Sequence, residues 1–220
     1  MNPPPSLSMP APADRPVPDD MPTVATDLSE EAIVTIAAQL GRAIEALGGS
    51  VATAESCTGG LIARALTETA GSSAWFDRGV VTYSNASKQD LLGVSAASLD
   101  LHGAVSEVVA REMAWGALRL IDPERSGRPG MALAVTGIAG PGGAVPGKPV
   151  GTVCFGWAWH RGALDPAKGS GEGESAQVCE TATVLFTGDR AAVRRQAAAY
   201  ALDHAMSLMQ GNLQHQPPQA

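Results

Sequence analysis

Apolar residues first recur at helical spacing at Ile33, Ile36, Leu40, Ile44 and Leu47, which predicts a helix with one apolar stripe. Asp27 and Glu30 stand three apart ahead of that stripe and read as a capping box, and Gly48-Gly49 supplies the stop. A short strand is expected over about 50–54, and Thr58 is placed to cap a second helix reaching about residue 70. Residues 75–84 predict a strand, 86–92 and 95–101 two small helices, and Ser106 the cap of a longer helix to about Leu120. The apolar run from Met131 to Thr136 suits a buried strand. Residues 149–159 and 177–185 are rich in β-formers and predict two strands that pair across the polar, Gly-rich link between them. Asp189 caps a final helix to about Met209. Helices alternating with strands in this order predict an α/β fold: a single three-layer α/β/α domain with a mixed central sheet.

Composition narrows the picture. The chain has 220 residues, 45% of them hydrophobic, which is enough for one packed domain. Eight of its sixteen prolines fall within the first 22 residues, a stretch that buries little. The expected organisation is therefore a disordered tail over 1–26, a folded domain over 27–210 and a second disordered tail over 211–220. A net charge of −7 argues against broad binding to nucleic acid or to anionic membranes. No apolar run approaches the length of a membrane span, and the N-terminus has no signal-peptide core. Cys57, Cys154 and Cys179 are too few and too scattered for a metal set or a disulfide framework, so a reducing, cytoplasmic setting is expected. The four histidines are scattered too. No metal and no organic cofactor is expected.

The candidate chemistry begins at Ser56, between a predicted strand and a predicted helix, in the stretch Thr53-Ala54-Glu55-Ser56-Cys57-Thr58-Gly59-Gly60. Amides at a helix N-terminus are unpaired and can hold a developing oxyanion. Gly59 and Gly60 would let the backbone approach a ligand. Two readings stand here, an acyl-transfer nucleophile or a plain capped turn. Cys57 is a rival nucleophile, since thiolates form readily near helix N-termini. Tyr83 and Lys88 straddle a strand-to-helix junction: Lys88 can act as a general base once desolvated, and Tyr83 can orient it or relay a proton. The ordinary alternative is a solvated lysine and a packing tyrosine.

Thr136-Gly137-Ile138-Ala139-Gly140-Pro141-Gly142-Gly143 follows an apolar strand and exposes amides that suit a phosphate. Residues 142–149 imitate a nucleotide-binding P-loop, but proline follows the lysine and no helix is predicted to start there, so that reading fails. Arg190, Arg194 and Arg195 open the last helix, and one or more can pair with a ligand phosphate. A solvated helix face accounts for the others.

Taken together these residues resemble the C-terminal domain family of the competence/damage-inducible protein CinA, whose stand-alone members are nicotinamide-nucleotide amidohydrolases. The resemblance is carried by residues 53–60, 70–85, 103–107, 136–143, 148–153 and 188–196, six ordered blocks that span about residues 30–210. It implies hydrolysis of the carboxamide of nicotinamide mononucleotide, in pyridine-nucleotide salvage, with Ser56 as nucleophile and Lys88 as base. It further implies that Tyr83 assists Lys88 and that amides around Cys57, Thr58, Gly59 and Gly60 hold the oxyanion. Thr136, Gly137 and an arginine, Arg190 or Arg194, would hold the mononucleotide. The family is frequently dimeric, so a homodimer is implied as an option. In place of the long members' N-terminal domain the chain carries a proline-rich tail, and its link at 161–176 is longer than the family pattern suggests. Two further readings stay open: a non-catalytic nucleotide-sensing or protein-interaction module linked to competence or DNA damage, and amidase chemistry on another small amide.

Overall fold

A computed structural model of the protein describes residues 29–121, 130–160 and 177–214. The expected tail at 1–26, Asp27 of the expected capping box and the link at 161–176 lie outside them. The elements are α1 (Glu30–Ala46), β1 (Ser50–Glu55), α2 (Leu61–Thr67), a 3-10 turn (Ser72–Ala74), β2 (Phe76–Val81), α3 (Asn85–Leu92), α4 (Ala96–His102), α5 (Glu107–Leu120), β3 (Gly130–Gly137), β4 (Thr152–His160), β5 (Gln177–Leu185) and α6 (Arg190–Gln214). The strands form one sheet in the order β2-β1-β3-β4-β5. β1 runs parallel to β2 and β3, while β3–β4 and β4–β5 are antiparallel, which gives the mixed sheet expected.

The period-two alternation of the strands sorts side chains by size. Val51 of β1, Met131, Leu133 and Val135 of β3 and Val153, Phe155 and Trp157 of β4 pack in one core with α1, α2 and α6. The intervening Ala52, Ala54, Ala132, Ala134 and Ala158 meet α3, α4 and α5 in the other. Small residues on that second face let α5 lie close against the sheet. A Cβ on Gly156 would stand 2.5 Å from the Ala110 carbonyl oxygen of α5. Gly156→Ala is therefore expected to destabilise the fold by about 1–3 kcal/mol through overpacking, read as a lower denaturant midpoint. An unchanged midpoint would mean that α5 is free to move away.

Three boundaries differ from the sequence expectation. The cap of α1 is Ser29, whose hydroxyl accepts the Ala32 amide at 3.2 Å. β2 ends at Val81, because Ser84 and Ser87 form a reciprocal capping box that starts α3 at Asn85. The last helix runs to Gln214 and so passes the expected end near Met209. Its start is as expected, with the Asp189 carboxylate accepting the Ala192 amide at 2.8 Å. Trp157 donates from its indole to the Ala201 carbonyl at 2.9 Å, which satisfies a buried polar group and seats α6 on the sheet.

Candidate active site

The parallel strands deliver the site. Ser56 follows the last residue of β1, Thr82 the last residue of β2, and Thr136 and Gly137 close β3, so all converge at the carboxyl ends of three adjacent parallel strands. Sheet hydrogen bonding carries on past β1: the Ser56 amide donates to the Val135 carbonyl at 2.9 Å and the Thr82 amide to the Glu55 carbonyl at 2.8 Å. These bonds hold the nucleophile candidate between its two neighbouring strands.

The capping box at Ser84 puts Lys88 one turn into α3, on the face turned toward the sheet. Lys88 is 1% exposed. Its Nζ lies 3.1 Å from Ser56 Oγ and donates to the Thr82 carbonyl at 2.7 Å. No carboxylate pairs with it among the described residues. Burial without a counter-charge pushes its pKa below the ordinary 10.5. A neutral amine in this position can donate one N–H to Thr82 and turn its lone pair to the Ser56 hydroxyl. The arrangement can thus transfer the proton that a serine must lose before it attacks a carbonyl.

Ser56 and Lys88 stand in an open cleft of about 240 Å³. Cys57, Tyr83, Asn85, Ala104, Val105 and the loop from Thr136 to Gly143 complete its walls, and Arg190 stands beside them. The Thr136 hydroxyl donates to the Ala104 carbonyl at 2.8 Å and ties β3 to the loop before α5. Lys148 donates to the His102 carbonyl at 2.8 Å, so residues 142–148 are an anchored loop with no helix after it, in keeping with the rejected P-loop.

Tyr83 does not meet Lys88. It is 60% exposed, and its hydroxyl accepts from Arg190 Nη2 at 2.7 Å. Arg190 Nη1 donates to the Gly140 carbonyl at 2.7 Å, so this arginine links the last helix to two cleft walls.

Several residues expected around the nucleophile prove to support it from outside the cleft. Thr58 does not cap α2. It is fully buried, and its hydroxyl has no partner among the described residues. The cap falls instead to Glu55, for which the sequence suggested no role. Its carboxylate accepts the amides of Gly60 at 2.9 Å, Ile62 at 3.1 Å and Ala63 at 2.8 Å. A buried anion is stabilised there by the helix N-terminus, which also takes that terminus out of use for an oxyanion. The available signal was a single charged residue inside an otherwise uncharged strand, directly ahead of a glycine turn. Gly60 stands at φ +90° before the helix, and Gly59 at φ +62° passes beneath Arg194, so both glycines serve the turn's own path. Arg194 does not line the cleft; its guanidinium grips the Cys57 and Thr58 carbonyls at 3.1 and 2.6 Å. Arg195 does not line it either.

Within the turn, the Gly59 amide donates to the Ser56 carbonyl at 3.0 Å. The amides of Cys57 and Thr58 meet no acceptor oxygen among the described residues, and of the two only Cys57 belongs to the cleft wall, where its amide can serve an oxyanion. The rival nucleophile fares poorly. Burial, reinforced by the nearby Glu55 carboxylate, pushes the Cys57 thiol up to about 12.

The CinA C-terminal domain family pattern matches residues 33–209. A nicotinamide-nucleotide amidohydrolase PncC of Enterobacter agglomerans is 48% identical over 179 residues, covering 81% of this chain and 96% of that protein. The protein of the same name from Escherichia coli K12 is 47% identical over 175 residues, covering 80% and 93%. Among solved structures, a CinA superfamily protein from Klebsiella pneumoniae superposes with a TM-score of 0.68 at 37% identity, covering 81% of this chain and 98% of that one.

Proposed function

The chain belongs to the CinA C-terminal domain family, and we propose that it is a nicotinamide-nucleotide amidohydrolase working through a Ser56–Lys88 dyad. The substrate is nicotinamide mononucleotide, and the products are nicotinic acid mononucleotide and ammonia, as in the salvage of pyridine nucleotides in the cytoplasm. The observation that carries this reading is the 3.1 Å approach of a buried lysine, with no carboxylate partner among the described residues, to a serine hydroxyl on the wall of an open cleft.

Ser56 Oγ attacks the carboxamide carbon as its proton passes to the neutral Lys88 amine. The carbonyl oxygen becomes the oxyanion and rests on the Cys57 amide at the cleft wall. The tetrahedral intermediate then collapses, the C–N bond breaks, and Lys88 returns its proton to the leaving nitrogen, which departs as ammonia. Water enters next. Lys88 takes one of its protons, the resulting hydroxide attacks the acyl-enzyme, and Ser56 leaves reprotonated. Arg190 offers a guanidinium to the 5′-phosphate at the mouth. Tyr83, bonded to that guanidinium, serves as its orienting partner.

Ammonia release from nicotinamide mononucleotide by the purified full chain tests the reading. Stoichiometric ammonia and deamidated mononucleotide are expected. Arg190→Ala is expected to raise KM by about 10- to 100-fold with kcat little changed, the signature of a lost charge-assisted ground-state contact. Folded protein that releases no ammonia at high enzyme concentration would remove the reaction and favour a sensing module.

A further inference from the structure

Arg194 lies one turn into α6, half-buried and outside the cleft, yet it holds two carbonyls of the nucleophile turn. No carboxylate pairs with it among the described residues. The turn is shaped to receive it: a Cβ on Gly59 would stand 3.2 Å from Arg194 Nη2, so only a glycine leaves the guanidinium its full approach.

Peptide geometry gives this grip a consequence at the reacting carbonyl. The Cys57 carbonyl and the Thr58 N–H belong to one planar trans peptide and point in opposite directions. A guanidinium fixed on the carbonyl therefore fixes the plane of that peptide, which directly follows the Cys57 amide of the cleft wall. The preceding peptide is held in the same manner, because its carbonyl, that of Ser56, accepts the Gly59 amide. Meanwhile Glu55 occupies the α2 terminus through Gly60, Ile62 and Ala63, leaving the Cys57 amide of the cleft wall to carry the oxyanion.

We propose that Arg194 is a positioning residue for amide hydrolysis: from behind the turn it holds the Cys57 and Thr58 carbonyls and so fixes Ser56 and the Cys57 amide for the tetrahedral intermediate. The inference rests on the acyl-transfer reading of Ser56 but not on the identity of the substrate.

Arg194→Ala and Arg194→Lys in the full chain test it by two readouts. With nicotinamide mononucleotide, Arg194→Ala is expected to lose about 10- to 100-fold in kcat, less than deletion of a direct oxyanion donor, with KM within about threefold. Arg194→Lys keeps a charge and a donor and is expected to lose less. Methylguanidinium added to the buffer is expected to restore part of the Arg194→Ala rate, which a purely structural defect would not allow. The second readout is the rate of Ser56 labelling by an alkyl fluorophosphonate, which places a phosphoryl oxygen in the oxyanion site and carries no nucleotide. Labelling is expected to slow in parallel with kcat.

An unchanged kcat in folded Arg194→Ala overturns the proposal. So does a raised KM at unchanged kcat, which would put the guanidinium on the substrate. Should Arg194→Ala fail to fold, Arg194→Lys carries the same comparison. Wild type that is labelled but releases no ammonia counts against the nucleotide substrate alone and leaves the labelling comparison decisive for Arg194. Wild type that is not labelled at all removes the acyl-transfer reading and this proposal with it.

Discussion

Ser56→Ala is expected to cut amide hydrolysis by about 10⁴-fold or more while the fold persists, because the nucleophile has no substitute of matching reactivity. Ser56 is small, and its backbone bonds to Val135 and Gly59 survive the change, so circular dichroism and the thermal midpoint should move little. Nicotinamide mononucleotide should still bind, since the cleft walls and Arg190 are untouched. The neighbouring thiol is the necessary control. With its pKa pushed up to about 12, Cys57 is a neutral thiol at physiological pH, and Cys57→Ala, which keeps the backbone amide, should cost far less than Ser56→Ala. The opposite ranking, measured as ammonia release by both variants, would move the nucleophile to Cys57.

Replacing Lys88 by methionine, which keeps the volume and removes the base, is expected to lower kcat by about 10²- to 10⁴-fold. Its pH dependence identifies the role. The neutral amine is the active form, so wild-type kcat/KM should climb as pH rises through the lowered pKa of Lys88, with the climb beginning below 10.5. Stability carries the same signature. Between the lowered native pKa and the ordinary 10.5, the unfolded chain holds a proton that the native site has released. The native state therefore gains stability as pH increases across that window, and the gain is complete above it. Lys88→Met should lose this contribution, so the difference in denaturant midpoint between wild type and variant should change with pH only across the window. A wild-type activity profile without an acid limb, or a stability difference flat with pH, would assign the proton to another group.

Much of this site was legible in local patterning. Ser56 and Thr136 lie at strand ends and Lys88 one turn into the helix after β2, and strand ends can be found from period-two runs bounded by glycine or by caps. Lys88 was the harder residue, because nothing local separates a buried lysine from a solvated one. Its burial depends on Ser84 starting α3 early enough to turn position 88 inward. The supporting residues were hidden for a different reason. Glu55 acts on amides five to eight residues ahead, and Arg194 on carbonyls 136 and 137 residues behind it. Thr58 looked like a cap because it stands where caps stand. A longer carboxylate reached the Gly60, Ile62 and Ala63 amides from the strand below, however, and its charge-assisted bonds took over the cap.

The amino-acid sequence by itself determined the order and type of the elements, the mixed α/β fold and the membership of the chain in its family, because short-range periodicity, caps and ordered motifs are properties of neighbouring residues. Tertiary structure alone decided that Lys88 sits 1% exposed at 3.1 Å from Ser56, that Tyr83 joins Arg190, and that Arg194 grips the nucleophile turn from behind. Each of those contacts joins residues far apart in the chain. Their meeting is set by how α3 and α6 pack on the sheet, and so is the loss of water that lowers the lysine's pKa.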